Sequence, residues 1–480
     1  MNDSLRRTVR ARWPVLVLLG VLILVSHQSA PAKDDRPRKP NVLLLVSDDQ
    51  RPDTVAALGN SIIKTPNLDE LVRTGSVFTR AISPNPICTP SRAEILTGCS
   101  GFRNGVIDFG GAIDPELTTW PQAMRSAGYR TVYVGKWHNN GRPHLHGYDE
   151  TLGWFGGGGG KWAKDQLDHH GRPVTGYRGW VFRTDSGKLL PERGVGLTPD
   201  ISRTFADAAI EFVDRESTAP FFLHVNFTAP HDPLLMPPGF ENVYSSNLIR
   251  LPENFLPEHP FDHGNLRGRD EQLLPWPRTE RAVRDDLAVY YSVISHMDEQ
   301  IGRIADALRR TGQWENTLVV FTSDHGLAMG SHGLRGKQNM YEHTVGVPMI
   351  FRGPGIARGK RFSAQMYLRD MFPTVCELAG VPVPETVEGR SVVPVLNGKT
   401  TSVHPHVFCY YRDSQRMIRN DRWKLIHYPK IDRWQLFDLQ NDPWERSDLS
   451  AEAVHASRLA TLQVRLRTSQ EQFVDPLADN

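Results

Sequence analysis

Chemically capable side chains in this sequence gather at the ends of apolar runs. Residues 41–47 form a continuous apolar stretch that stops at Asp48-Asp49. Residues 131–135 run into Lys136, Trp137 and His138. Residues 221–227 lead to a proline-bounded turn presenting His231, and 318–322 end in Ser323-Asp324-His325. A glycine-rich basic loop follows and closes on Lys337. Adjacent carboxylates at a strand end are costly unless a cation joins them, although an ordinary acidic loop has the same appearance. One further stretch, Cys88-Thr89-Pro90-Ser91-Arg92, puts a thiol at the mouth of a short helix predicted to be capped by Ser91 and stopped by Gly98. Backbone N–H groups there favour an anion, and Arg92 adds a fork of donors. Taken alone, the same pattern also describes a buried free cysteine before a cap.

The elements that must carry these groups are legible from periodicity. Runs buried on both faces suit central parallel strands, and the ends of such strands are where open α/β sheets place their sites. Helices are predicted over 65–74, 120–127, 201–215 and 279–310, the last with an apolar stripe spaced at three and four. Strands alternating with helices imply an α/β fold built on a large, mostly parallel sheet flanked by helices. Residues 139–200 show little periodicity, and five successive glycines at 156–160 read as a mobile loop. Residues 233–278 are proline-rich and irregular. Beyond about residue 395, short strands and polar turns indicate a small antiparallel sheet followed by a terminal helix over 451–473.

Cys-x-Pro-Ser-Arg followed by a helix ending Leu-Thr-Gly resembles the signature of the formylglycine-dependent sulfatases of the alkaline phosphatase superfamily. Asp48, Asp49, Cys88, Arg92, Lys136, His138, His231, Asp324, His325 and Lys337 match that family's pattern in order. The Leu436-Phe437-Asp438-Leu439 segment is similar to its C-terminal subdomain. The resemblance implies oxidation of Cys88 to formylglycine (3-oxoalanine) by a maturation enzyme, and desulfation through its hydrate. It implies Ca²⁺, with Mg²⁺ the lesser option, on Asp48, Asp49, Cys88, Asp324 and His325; oxygen-rich sites favour hard cations. It implies that Lys136 and Lys337 hold the sulfate, Arg92 holds residue 88, His138 acts as base, and His231 protonates the leaving oxygen with help from Lys337. Asp-His at 324–325, where many members have Asp-Asn, resembles the iduronate-sulfatase-like and polysaccharide sulfatase subgroup and points to a sulfated carbohydrate substrate. Cys99 stands where many relatives carry Arg.

Composition bounds the remaining possibilities. At 480 residues, 39% hydrophobic and 23% charged, the chain is long enough for a large core and a smaller subdomain. Residues 1–32 read as a secretory signal: four arginines, an apolar run at 15–25 too short to span a bilayer, and Ala30-Pro31-Ala32 for cleavage. No other run is long enough to cross a membrane, so the mature chain is expected to be exported, whether periplasmic, secreted or lumenal, without a span. The leader's four Arg and one Asp leave the remainder near −1 against a formal total of +2, which argues against a nucleic-acid partner. Cys88, Cys99, Cys376 and Cys409 are too few for a disulfide framework and are expected as mostly buried thiols. The expected division is signal 1–32, catalytic α/β domain 33–395 and α+β subdomain 396–480. Two other readings fit parts of the pattern. A phosphatase or phosphodiesterase of the same superfamily would carry Thr or Ser in place of Cys88. A non-catalytic sulfated-glycan-binding protein would lack one of Cys88, Lys136 or His231.

Overall fold

The computed structural model describes residues 10–11 and 39–478. The leader reading therefore lies almost wholly outside the described residues. Residues from Lys39 onward form one compact unit around a ten-stranded sheet. Its strands are β1 (Asn41–Ser47), β2 (Ser76–Ile82), β3 (Arg130–Lys136), β4 (Glu150–Gly156), β5 (Val181–Arg183), β6 (Leu189–Val195), β7 (Phe221–Asn226), β8 (Thr317–Ser323), β9 (Met349–Arg352) and β10 (Lys360–Tyr367). They lie in the order β10-β2-β9-β8-β1-β7-β3-β4-β5-β6. The central block β8-β1-β7-β3-β4 is parallel throughout, so those strand ends share one rim. By contrast β9 runs antiparallel to both β2 and β8, and β5 and β6 form an antiparallel extension at the far edge.

The apolar runs are continuous because both faces of the central strands are covered. Along β1, Val42, Leu44 and Val46 enter one core while Leu43 and Leu45 enter the other. The second face is covered by the helices Ile201–Val213 and Glu280–Arg310, the latter capped by the Thr279 side chain accepting from the Ala282 N–H. The first face is covered by Trp120–Ser126 and Met371–Ala379. Among the described residues, no helix is long and apolar enough to cross a membrane.

A four-stranded antiparallel sheet, β11 (Val407–Tyr411), β12 (Gln415–Arg419), β13 (Trp423–Tyr428) and β14 (Arg433–Asp438), follows, with the terminal helix Ala456–Gln472. It grips the loop that bears Lys337. Lys424 Nζ lies 2.9 Å from Glu342 Oε1 and 2.7 Å from Glu445 Oε1, and Arg419 Nη1 lies 2.6 Å from Glu342 Oε2. Gln415 Nε2 donates to the Gln338 carbonyl at 2.9 Å.

Two expectations change. Residues 139–200 contain β4, β5 and β6, and the glycine run, exposed at Gly157, Gly158 and Gly160, is tied down at Gly156, the end of β4, and at the buried Gly159. The Gly159 N–H donates to the Gly179 carbonyl at 2.6 Å, and a Cβ on Gly159 would stand 2.5 Å from that oxygen. Glycine is required there by close backbone approach. The signature helix begins at Cys88, not at Ser91. Ile87 is its extended N-cap and accepts from the Ser91 N–H at 3.0 Å. Pro90 fits inside the first turn, where its missing N–H has no helical partner to lose. Ser91 Oγ instead donates to the Asp324 carbonyl at 2.6 Å, tying the helix to the end of β8.

Candidate active site

Register brings the strand ends together. Ser47 pairs with Ser323, Val46 with Asn226, and Gly135 with Asn226, so the residues that follow emerge side by side. Asp49 adopts φ 66°, a left-handed turn that costs a non-glycine residue about 1 kcal/mol or more. Its N–H donates to Asp324 Oδ1 at 3.1 Å, and its carbonyl accepts from Tyr290 OH at 2.6 Å. At Gly135, φ is +94°, and a Cβ would sit 2.0 Å from the Asn226 carbonyl oxygen. The β3–β4 register shifts at that point, and Lys136 follows directly.

All ten predicted residues meet here. Cys88, fully buried, lies with Sγ 3.5 Å from Asp48 Oδ1 and accepts from Lys337 Nζ at 3.3 Å. Lys136 Nζ donates to Asp48 Oδ2 at 2.6 Å, and Lys337 Nζ donates to both Asp49 oxygens at 2.8 and 3.0 Å. Arg92 Nη2 spans Asp324 Oδ2 at 2.9 Å and Asp48 Oδ1 at 3.3 Å, while its Nη1 donates to Asn226 Oδ1. His325 Nδ1 stands 3.4 Å from Asp49 Oδ1, and His231 Nε2 stands 3.7 Å from Asp49 Oδ2. The His231 ring is set by its Nδ1, which donates to the Asp232 carbonyl at 2.7 Å. His138 and His325 both stand next to the sulfur.

Three further residues complete the site. Asn226 ends β7 and orients Arg92; it was visible as the polar close of an apolar run. Gln50 directly follows the two aspartates. Tyr177, whose hydroxyl donates to Asp48 Oδ2, lies in the stretch without periodicity and left no mark.

The charge balance is strained in an informative way. Burial pushes the Asp48 carboxyl up, but Lys136, His231 and Arg92 outweigh it and hold it below its ordinary value. Burial, abetted by Asp48 and Cys88, raises Asp324 to about 7. Burial likewise raises Asp49 despite His231, Lys337 and His325. Against burial, Lys136, Lys337 and His325 draw the Cys88 thiol well below its usual range. Burial lowers His138, whereas Asp49 and Asp232 overcome burial to raise His231 to about 9.

Burial thus keeps the carboxyls of Asp49 and Asp324 raised even with the cations packed against them. The donor atoms of Asp49, Cys88 and His325, and those of Asp48, Cys88 and Asp324, form two groups, each with all its atoms within 4.8 Å of one another. His325 Nε2 and both polar atoms of the Gln50 amide are buried without partners. Three carboxylates, an imidazole and an orphaned amide fit a hard divalent cation. Above them opens a cavity of about 430 Å³ lined by Cys88, Lys136, His138, His231 and Lys337.

The chain is similar to known proteins over most of its length. The Sulfatase family model matches residues 40–381, and the model for the C-terminal part of N-sulphoglucosamine sulphohydrolase matches 330–472. The N-acetylglucosamine-6-O-sulfatase of Bacteroides thetaiotaomicron is 26% identical over 540 aligned positions, covering 96% of this chain and 92% of that protein. An arylsulfatase of Clostridium perfringens is 30% identical, covering 88% and 93%. A protein solved in complex with its substrate, D-glucosamine-2-N,6-O-disulfate, superposes with a TM-score of 0.75 at 26% identity, over 92% of this chain and 100% of that one. With the family model spanning most of its length, the chain belongs to the formylglycine-type sulfatases of the alkaline phosphatase superfamily and is a sulfuric ester hydrolase.

Proposed function

We propose that the protein removes sulfate from a sulfated carbohydrate, with Cys88 converted to formylglycine by a maturation enzyme and Ca²⁺ held by Asp48, Asp49, Asp324, His325 and the side chain of residue 88. The observation that carries this reading is the meeting of Cys88 with two lysines, Arg92 and three aspartates at the floor of one cavity. The carbohydrate class is supported by relatives that act on, or were solved with, sulfated glucosamines. When present, the cation supplies Lewis acidity and the formylglycine supplies an oxygen nucleophile in place of a poorly suited thiol.

The chain's own residues do the rest. Arg92, braced by Asn226 and Asp324, fixes the side chain at 88. Lys136 and Lys337 line the cavity within reach of sulfate oxygens and offset the charge that grows on them. His231 presents Nε2 towards the cavity floor because Nδ1 is committed to Asp232. Held charged by Asp49 and Asp232, it protonates the departing sugar oxygen. His138, kept neutral by burial, takes the proton released at residue 88. Export through a cleaved 1–32 leader, a catalytic domain over 33–395 and a subdomain over 396–480 complete the proposal.

Peptide mass spectrometry across Cys88 of active, natively produced protein tests the nucleophile: an aldehyde or its hydrate is expected, and an unmodified thiol overturns the mechanism. Aryl sulfate turned over no faster than aryl phosphate would overturn the choice of ester.

A further inference from the structure

A second cavity of about 590 Å³ adjoins the first, and His138 and Trp180 form the wall the two share. The reaction as derived above makes no use of it. Its lining is unusual in what it leaves unpaired. Thr89 Oγ1, Asn139 Oδ1, His138 Nδ1 and Arg183 Nε are buried polar atoms that all lack a protein partner, and all four residues face this space. Buried polar groups are nearly always satisfied, so four orphans around one cavity indicate groups meant to meet something that enters it. Among the described residues, Arg183 pairs with no carboxylate; it stacks on Trp154 at 5.0 Å and donates Nη2 to the Gly157 carbonyl. Burial without a counter-charge lowers its pKa. Gly158, at φ +101°, brings the backbone against this guanidinium, and a Cβ there would stand 2.7 Å from the mobile end of Arg183, Nη2.

Trp154 and Trp180 supply ring faces, Asn139 an acceptor and Arg183 a donor, which suits hydroxyls that both give and receive hydrogen bonds beside an apolar sugar face. A lone guanidinium adds selectivity for an anionic oxygen group. Resting on the sulfated-carbohydrate reading, we infer that the substrate is an oligosaccharide whose sugar adjoining the sulfated residue occupies this second cavity and presents a carboxylate or sulfate to Arg183.

The test measures kcat/KM for a sulfated monosaccharide and for disaccharides joining that sugar to a neutral residue, a uronate or a second sulfated residue. The anionic disaccharides are expected to exceed the monosaccharide by about tenfold or more, the size of one charge-assisted hydrogen bond. Arg183→Gln should reduce them to the level of the neutral disaccharide, with Arg183→Lys retaining part of the advantage. Comparing the uronate and sulfate arms shows which anion is read. Equal kcat/KM across the panel, or an anionic advantage that survives Arg183→Gln, overturns the inference. Should Arg183→Gln fail to fold, the wild-type panel and Asn139→Ala, expected to weaken the disaccharides selectively, still decide it. Failure of the underlying reading looks different: sulfate is then released from aryl sulfate but from no sugar, or from nothing at all.

Discussion

Replacing His263 by phenylalanine should make the protein less sensitive to acid by a calculable amount. His263 is 1% exposed, neither ring nitrogen has a hydrogen-bond partner, and the titratable group that acts on it is His259, whose ring lies 5.2 Å away. Burial, with a smaller contribution from His259, lowers its pKa to about 3. Below its unfolded value the imidazole of the unfolded chain takes up a proton that the folded chain refuses, so stability is full above that value and is lost as pH falls. At about pH 5 the loss from this one residue is about 2 kcal/mol, and at about pH 7.5 it is about 0.1 kcal/mol or less. Phenylalanine abolishes the difference. Urea unfolding of wild type and H263F at both pH values, followed by tryptophan fluorescence, gives a double difference in which altered packing cancels. A gain of about 2 kcal/mol for the variant at the lower pH relative to the higher is expected. A double difference below about 0.5 kcal/mol would show that the ring is hydrated or charged in the fold and would refute the reasoning.

Other outcomes follow from the site. H231A should lower kcat by about a hundredfold or more on sugar or alkyl sulfates and far less on aryl sulfates with good leaving groups, measured as the slope of rate against leaving-group pKa; equal losses would remove the acid role. G135A forces a Cβ against the Asn226 carbonyl at a left-handed φ and should displace Lys136, costing at least about tenfold in kcat/KM; an unimpaired variant would show that the kink is incidental. Chelation should lower the thermal midpoint as well as activity, since Asp48, Asp49 and Asp324 are fully buried, with Ca²⁺ restoring both more fully than Mg²⁺; loss of activity without a shift in midpoint would count against a cation among these carboxylates.

The central strands were readable because parallel strands covered on both faces must be apolar throughout, and the groups that end them are polar for a reason. Direction was not readable: residues 349–352 look like any other buried run, yet β9 is antiparallel. The edge strands were hidden because β6 is half-exposed, with no clean alternation, and β5 is only three residues long. Ser91 looked like a cap by type, but its hydroxyl is drawn to a carbonyl 233 positions away, which no local rule contains. Tyr177 is likewise tied to Asp48 across 129 positions.

The grip of β12 and β13 on the Lys337 loop has a bearing on biosynthesis. Glu342 takes both its cationic partners from Arg419 and Lys424, residues translated after the loop itself. A nascent chain emerging from the ribosome can assemble most of the central sheet while this loop still lacks its anchors. Premature stop codons between codons 338 and 419, past the last catalytic codon but before both anchors, should thus yield protein that retains much of its secondary structure but has lost most of its activity.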